Sequence, residues 1–141
     1  INAADKEDGD DDNSTMLRVA AYNGDAEEVK FLLELGADVN VVSGWNEQIP
    51  LHAAMIFHNM DVVKMLLEAG SDLEAENSDG ATPLHMAAAS QDAEVVRCLL
   101  DAGANPDCSN NDGESPLDYC EEQGDRCNQE VVKLLQDAMA G

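Results

Sequence analysis

Thr82-Pro83-Leu84-His85 occurs twice more in this chain in altered form, as Ile49-Pro50-Leu51-His52 and as Ser115-Pro116-Leu117-Asp118. The Pro-Leu pairs begin at 50, 83 and 116, so the spacing is 33 residues both times. A second series keeps the same register: Glu28-Val29-Lys30-Phe31-Leu32-Leu33, Val62-Val63-Lys64-Met65-Leu66-Leu67, Val95-Val96-Arg97-Cys98-Leu99-Leu100 and Val131-Val132-Lys133-Leu134-Leu135-Gln136. A third reads Gly36-Ala37-Asp38-Val39-Asn40, Gly70-Ser71-Asp72-Leu73-Glu74 and Gly103-Ala104-Asn105-Pro106-Asp107. Three interleaved signals in one register mark internal repeats.

Each unit reads as a turn followed by two short antiparallel helices. Thr82 or Ser115 caps the first helix with its hydroxyl, and the following proline takes the first helical position, where its missing N–H costs nothing. Repeat two has Ile49 there and loses the hydroxyl. The Val-Val-x-x-Leu-Leu segments place an apolar face at helical period, and Gly36, Gly70 and Gly103 supply the left-handed residue that ends each second helix. Asp79-Gly80 and Asp112-Gly113 mark hairpin-like turns into the next unit.

This pattern resembles the ankyrin repeat, whose period is about 33 residues with a Thr-Pro-Leu-His signature. The resemblance implies an all-α repeat solenoid, with repeats at 10–42, 44–76, 77–109 and 110–141 forming one domain and residues 1–9 an acidic flexible tail. Ser43 is an extra residue between the first two repeats, and residues 125–130 carry a three-residue insertion. Terminal repeats need a polar outer face because no neighbour covers them. Glu28 replaces the valine of Val62 and Val95, and Gln136 replaces the leucine of Leu67 and Leu100, so repeats one and four are expected to be caps.

Composition narrows function. Thirty acidic and 7 basic side chains give a formal net charge of −23, which speaks against binding nucleic-acid phosphates. A 44% hydrophobic fraction is compatible with a packed core. The longest apolar runs fall far short of the roughly 20 residues that cross a bilayer, so no membrane segment is expected. Cys98, Cys108, Cys120 and Cys127 are too few and irregular for a disulfide scaffold, which makes a reduced compartment, cytoplasm or nucleus, the expectation.

No constellation of catalytic or metal-binding residues emerges. His52 and His85 share one repeat position, where the resemblance implies a structural hydrogen bond to a neighbouring hairpin. Cys98 and Cys120 align with apolar core positions and read as buried small hydrophobes. Asp8-x-Asp10-x-Asp12 opens like a calcium loop, but Asn13 stands where glycine is required and Val19 where the closing glutamate belongs. Neither an enzyme, a metal site nor a cofactor is expected.

In ankyrin domains partners meet the hairpin tips and the exposed end of the first helix. The resemblance carries that role to Asp12 and Tyr22 in repeat one, to Trp45, Asn46, Ile56 and Phe57 in repeat two, and to Asp79 in repeat three. In repeat four it reaches Asp112, Glu114 and Glu122. Ser78, Ala81, Ala89 and Ser90 occupy matching positions, whereas Phe31 aligns with Met65, Cys98 and Leu134 as a core residue. Lys30, Lys64, Arg97 and Lys133 fall at one position of the second helices, leaving turns and first helices strongly anionic. The expected function is a protein-interaction module, monomeric, holding a basic protein or peptide with an apolar anchor on an acidic concave face. Alternatives are a methyl-lysine or histone-tail reader, an adaptor or chaperone shielding a basic client, and a scaffold whose acidity serves solubility.

Overall fold

The computed structural model describes residues 12–42, 47–55, 59–90, 92–122 and 128–140, with side chains from Met16 onward. The proposed tail, residues 1–9, lies outside them. Eight helices are present among the described residues. The chain divides into two compact units, one ending at Ser71 and the other beginning at Asp72.

The first unit holds α1 (Asp12–Asn23), α2 (Ala26–Glu34), α3 (Pro50–Ala54) and α4 (Met60–Glu68). The second holds α5 (Pro83–Ser90), α6 (Ala93–Asp101), α7 (Pro116–Glu121) and α8 (Gln129–Ala140). Prolines open α3, α5 and α7, as the spacing predicts. Each second helix starts at a short polar side chain that the repeat comparison had not singled out. Asp25, Asn59, Asp92 and Asn128 accept from the backbone N–H of Glu28, Asp61, Glu94 and Glu130 at 3.1, 2.9, 3.0 and 2.9 Å. Such caps stabilise a helix by about 1 kcal/mol each.

Helix ends repeat as closely. Gly36, Gly70 and Gly103 have φ of 91, 98 and 108°, a conformation open to glycine and costly for other residues. That turn returns the amides of Ala37, Ser71 and Ala104 to the carbonyls of Leu32, Leu66 and Leu99 at 3.1, 3.1 and 3.0 Å.

Packing follows the same plan in both units. In the first, α1 pairs with α2 and α3 with α4, while α1 packs on α3 and α2 on α4. In the second, α5 pairs with α6 and α7 with α8, while α5 packs on α7 and α6 on α8. Leu17, Val29, Leu32, Leu51, Val62 and Leu66 are buried in the first unit, and Leu84, Val95, Val96, Leu99, Val131 and Leu135 in the second. Truncating such a leucine to alanine costs about 2–5 kcal/mol. The small residues Ala20, Ala54 and Ala87 are buried too, on the faces where first helices pack.

Three sequence expectations need correction. Phe31 is 54% exposed and belongs to no core, because nothing among the described residues packs over that side of α2. Cys98 is half-buried, at the same helix position. Cys120 is fully buried as expected but is disulfide-bonded, so it is not the free small hydrophobe that its alignment with Ala54 and Ala87 suggested.

Candidate protein-interaction surface

Two turns of the second unit, 77–81 and 110–114, are built alike around a buried asparagine. The Asn77 Oδ1 accepts from the amides of Asp79 and Ala81 at 2.9 and 3.0 Å, and Asn110 Oδ1 accepts from Asp112 and Glu114 at 2.9 Å each. Backbone bonds Asn77 N–H to Ala81 O and Asn110 N–H to Glu114 O close the turns at 3.0 and 2.9 Å. Asn111 joins them, its backbone N–H donating to Asp79 O at 3.0 Å and its side-chain amide to Ser78 O at 3.2 Å. Gly80 permits this approach: its φ is +78°, and a Cβ there would lie 2.7 Å from the Asn111 nitrogen. The turns therefore present Asp79 and Asp112, both exposed, from a rigid base.

Behind the tips lies His85, fully buried. Thr82 N–H donates to its Nδ1 at 3.1 Å, so Nε2 carries the proton and donates to Glu114 O at 2.8 Å. This is the bond to a neighbouring hairpin that the repeat position implied. Burial holds the imidazole below its usual range and keeps it neutral. Tyr119 of α7 meets the ring edge-on with centroids 4.9 Å apart, and its oxygen accepts from Asn110 Nδ2 at 2.8 Å. Burial raises the Tyr119 hydroxyl. Cys108 lies 3.5 Å from Thr82 Oγ1, and burial pushes its thiol up, away from reactive thiolate.

Charge concentrates at the outer edge of this framework. The Glu122 carboxyl shares a hydrogen bond with Glu114, which lowers Glu114 and raises Glu122; Glu114 also accepts from Asn110. The remaining pressure on Glu122 comes from the negative charges of Glu114, Asp118 and Asp112. The acids of this edge thus crowd one another, and the two carboxyl groups are drawn into one hydrogen-bonded pair. Among the described residues of the second unit, the only Lys or Arg side chains are Arg97 and Lys133, on α6 and α8. Arg97 is paired with Glu130 at 3.0 Å, an exposed contact of little energetic worth.

Of the residues singled out from sequence, the structure brings together Asp112 and Glu114 on one turn, with Asp79 on the turn bonded to it. Tyr22 is 43% exposed on α1 of the first unit. Trp45, Asn46, Ile56 and Phe57, and the Asp12 side chain, lie outside the described residues. Ala81, expected at a contact position, is buried, because its amide and carbonyl both close the turn at Asn77. Glu122, expected at a contact position, is exposed at the end of α7, whereas Asn77, Asn110 and Tyr119 were not singled out for this site. Asn-x-Asp-Gly at both 77–80 and 110–113 is the signal that marks the two asparagines as turn organisers. Lys30, Lys64, Arg97 and Lys133 are all exposed on second helices.

Among the described residues no group of three or more His, Cys, Asp or Glu side chains is arranged to hold a metal ion, and no helix is long and apolar enough to cross a membrane. The family described as ankyrin repeats (3 copies) matches residues 1–77 and 51–140. Among curated proteins, the chain is 37% identical over 72 residues to BRCA1-associated RING domain protein 1 of Caenorhabditis elegans, covering 51% of this chain and 10% of that one. It is 39% identical over 74 residues to palmitoyltransferase AKR1 of Debaryomyces hansenii, covering 52% and 9%. A third similarity, 42% over 72 residues, is to the BTB/POZ domain and ankyrin repeat-containing protein NBCL of Lotus japonicus, covering 50% and 15%. The matched segments thus span about a tenth of the length of most such relatives.

Proposed function

This chain belongs to the ankyrin repeat family, and from that premise we propose that it is a non-catalytic binding module for a basic protein segment that carries an apolar anchor. Ankyrin repeats mediate protein–protein interaction; the finer reading rests on the second unit's turns. The observation that carries it is the acidic edge of the paired turns, where Asp79 and Asp112 are exposed on turns bonded together through Asn111 and no Lys or Arg stands on either turn. A lysine or arginine arriving there meets carboxylates already held by backbone-bonded turns, so little ordering cost remains. The apolar anchor is assigned to Trp45, Ile56, Phe57 and Tyr22, with Asn46 and Asp12 as polar neighbours, on the register of the repeats. The two sets lie in different units, and the test reads each by itself.

The test is binding of a lysine-rich peptide with one leucine, followed by stopped flow at several salt concentrations. Neutralising Asp79, Asp112 and Glu114 is expected to slow association and flatten its salt dependence, since rim charges steer over a Debye length of about 8 Å. Trp45→Ala is expected to cost about 2 kcal/mol of affinity, mostly in dissociation rate. Reversal of Lys30, Lys64, Arg97 and Lys133 is expected to leave binding nearly intact. A reversal variant that loses binding, while the Asp79, Asp112 and Glu114 variant binds normally, overturns the assignment.

A further inference from the structure

The first unit carries a second surface of different character. Met16 and Val19 of α1 are 47 and 46% exposed, and Phe31 of α2 and Leu35 just beyond it are 54 and 52% exposed. Their places in the repeat show what such a face is shaped to receive. The 33-residue period plus the extra Ser43 gives a 34-residue register, which equates Met16, Val19, Glu28 and Phe31 with Pro50, Ala53, Val62 and Met65. Pro50, Ala53 and Val62 are buried and Met65 is half-buried, with α1 packed on α3 and α2 on α4. Among the described residues, the face that meets helices in one pair has no helix over it in the other.

What would cover it is constrained by charge. A groove of about 260 Å³ runs between α1 and the start of α2, lined by Met16, Val19, Ala20, Asn23, Asp25 and Glu28. Its floor is apolar, its rim holds two carboxylates, and no base lines it. The Val62 equivalent has become Glu28, so a helix pair of this chain's own kind would bury an unpaired carboxylate there, at a cost of several kcal/mol per ion. A second copy with a formal charge of −23 would add like-charge repulsion. A helix bearing leucine-type side chains along one stripe and lysine or arginine beside it satisfies both features.

We propose that this face docks a basic amphipathic helix of a partner protein, its apolar stripe against Met16, Val19 and Phe31 and its bases against Asp25 and Glu28. The surface is separate from the turns of the second unit and does not depend on the function proposed for them. Six methionines make the test direct: methyl-labelled Met16 reports this face. The probes are a synthetic amphipathic Leu/Lys helix of about 20 residues, above the length at which isolated helices are marginal, and a scrambled peptide of equal composition. Expected is a saturable shift of the Met16 methyl with the amphipathic peptide and none with the scrambled one. Phe31→Ser with Val19→Ser should weaken binding at least tenfold without lowering the melting midpoint, both side chains being exposed, whereas neutralising Asp79, Asp112 and Glu114 should leave the Met16 shift intact. An equal Met16 shift with both peptides, no shift with either, or a shift on concentrating the protein alone overturns the proposal.

Discussion

Single residues show where this chain departs from its own repeat. Glu47 stands where the other turns have Gly80 and Gly113, yet it adopts the same left-handed conformation, with φ of 54° against 78 and 80°. A side chain there costs about 1–2 kcal/mol. Ser71 stands where Ala37 and Ala104 stand, and its hydroxyl is buried without a hydrogen-bond partner among the described residues. Such a group costs about 1–3 kcal/mol. Restoring the pattern with Glu47→Gly and Ser71→Ala is expected to stabilise the protein by about 1–2 kcal/mol in total, part of the glycine gain being offset by unfolded-chain entropy. Urea denaturation checks it through the midpoint. The reverse change at an intact turn, Gly80→Ala, should destabilise by more than that gain, since strain adds to collision with Asn111.

At the scale of elements, the link between consecutive turns is a hydrogen-bonded histidine. His85 Nδ1 must accept from Thr82 N–H while Nε2 donates to Glu114 O, an arrangement open to the neutral ring alone. Burial lowers its affinity for a proton in the folded state, so below the unfolded value of about 6.5 the unfolded chain binds the proton first. Stability contributed by His85 is therefore full above that value and is lost as pH falls toward the lower folded value. Denaturation midpoints followed between pH 7.5 and 5 are expected to decline, and the slope should shrink in His85→Gln even though that variant is less stable throughout. An unchanged slope would assign the decline to other groups.

The whole molecule is an all-α array of ankyrin repeats whose order comes from neighbours covering neighbours. Within the second unit α5 lies on α7 and α6 on α8. A chain ending at residue 109 is expected to expose that apolar cover and to aggregate or lose its sigmoidal melt. Removing residues 1–9, which carry no repeat landmark, should leave the midpoint unchanged. Circular dichroism melting of the two truncations, with light scattering, distinguishes them.

Repeat period, helix-opening prolines, helix-ending glycines and acidity were all legible in the chain, because each depends on local chemistry: a missing N–H, a tolerated positive φ, a side-chain charge. The acidic residues Asp79, Asp112 and Glu114 were legible for the same reason, since a turn position is set by its neighbours in sequence. Phe31 was not. It has the character of a core residue, and only the packing of α2 decided that its side of the helix stays open. Glu122 was legible as a contact position, but its pairing with Glu114 was hidden, because that partner lies on a different element eight positions away. The Cys120 disulfide also required knowing which sulfurs folding brings close. Local conformation is written in the order of residues, whereas exposure, side-chain pairing and cross-links depend on which surfaces meet, and that is decided when the helices pack.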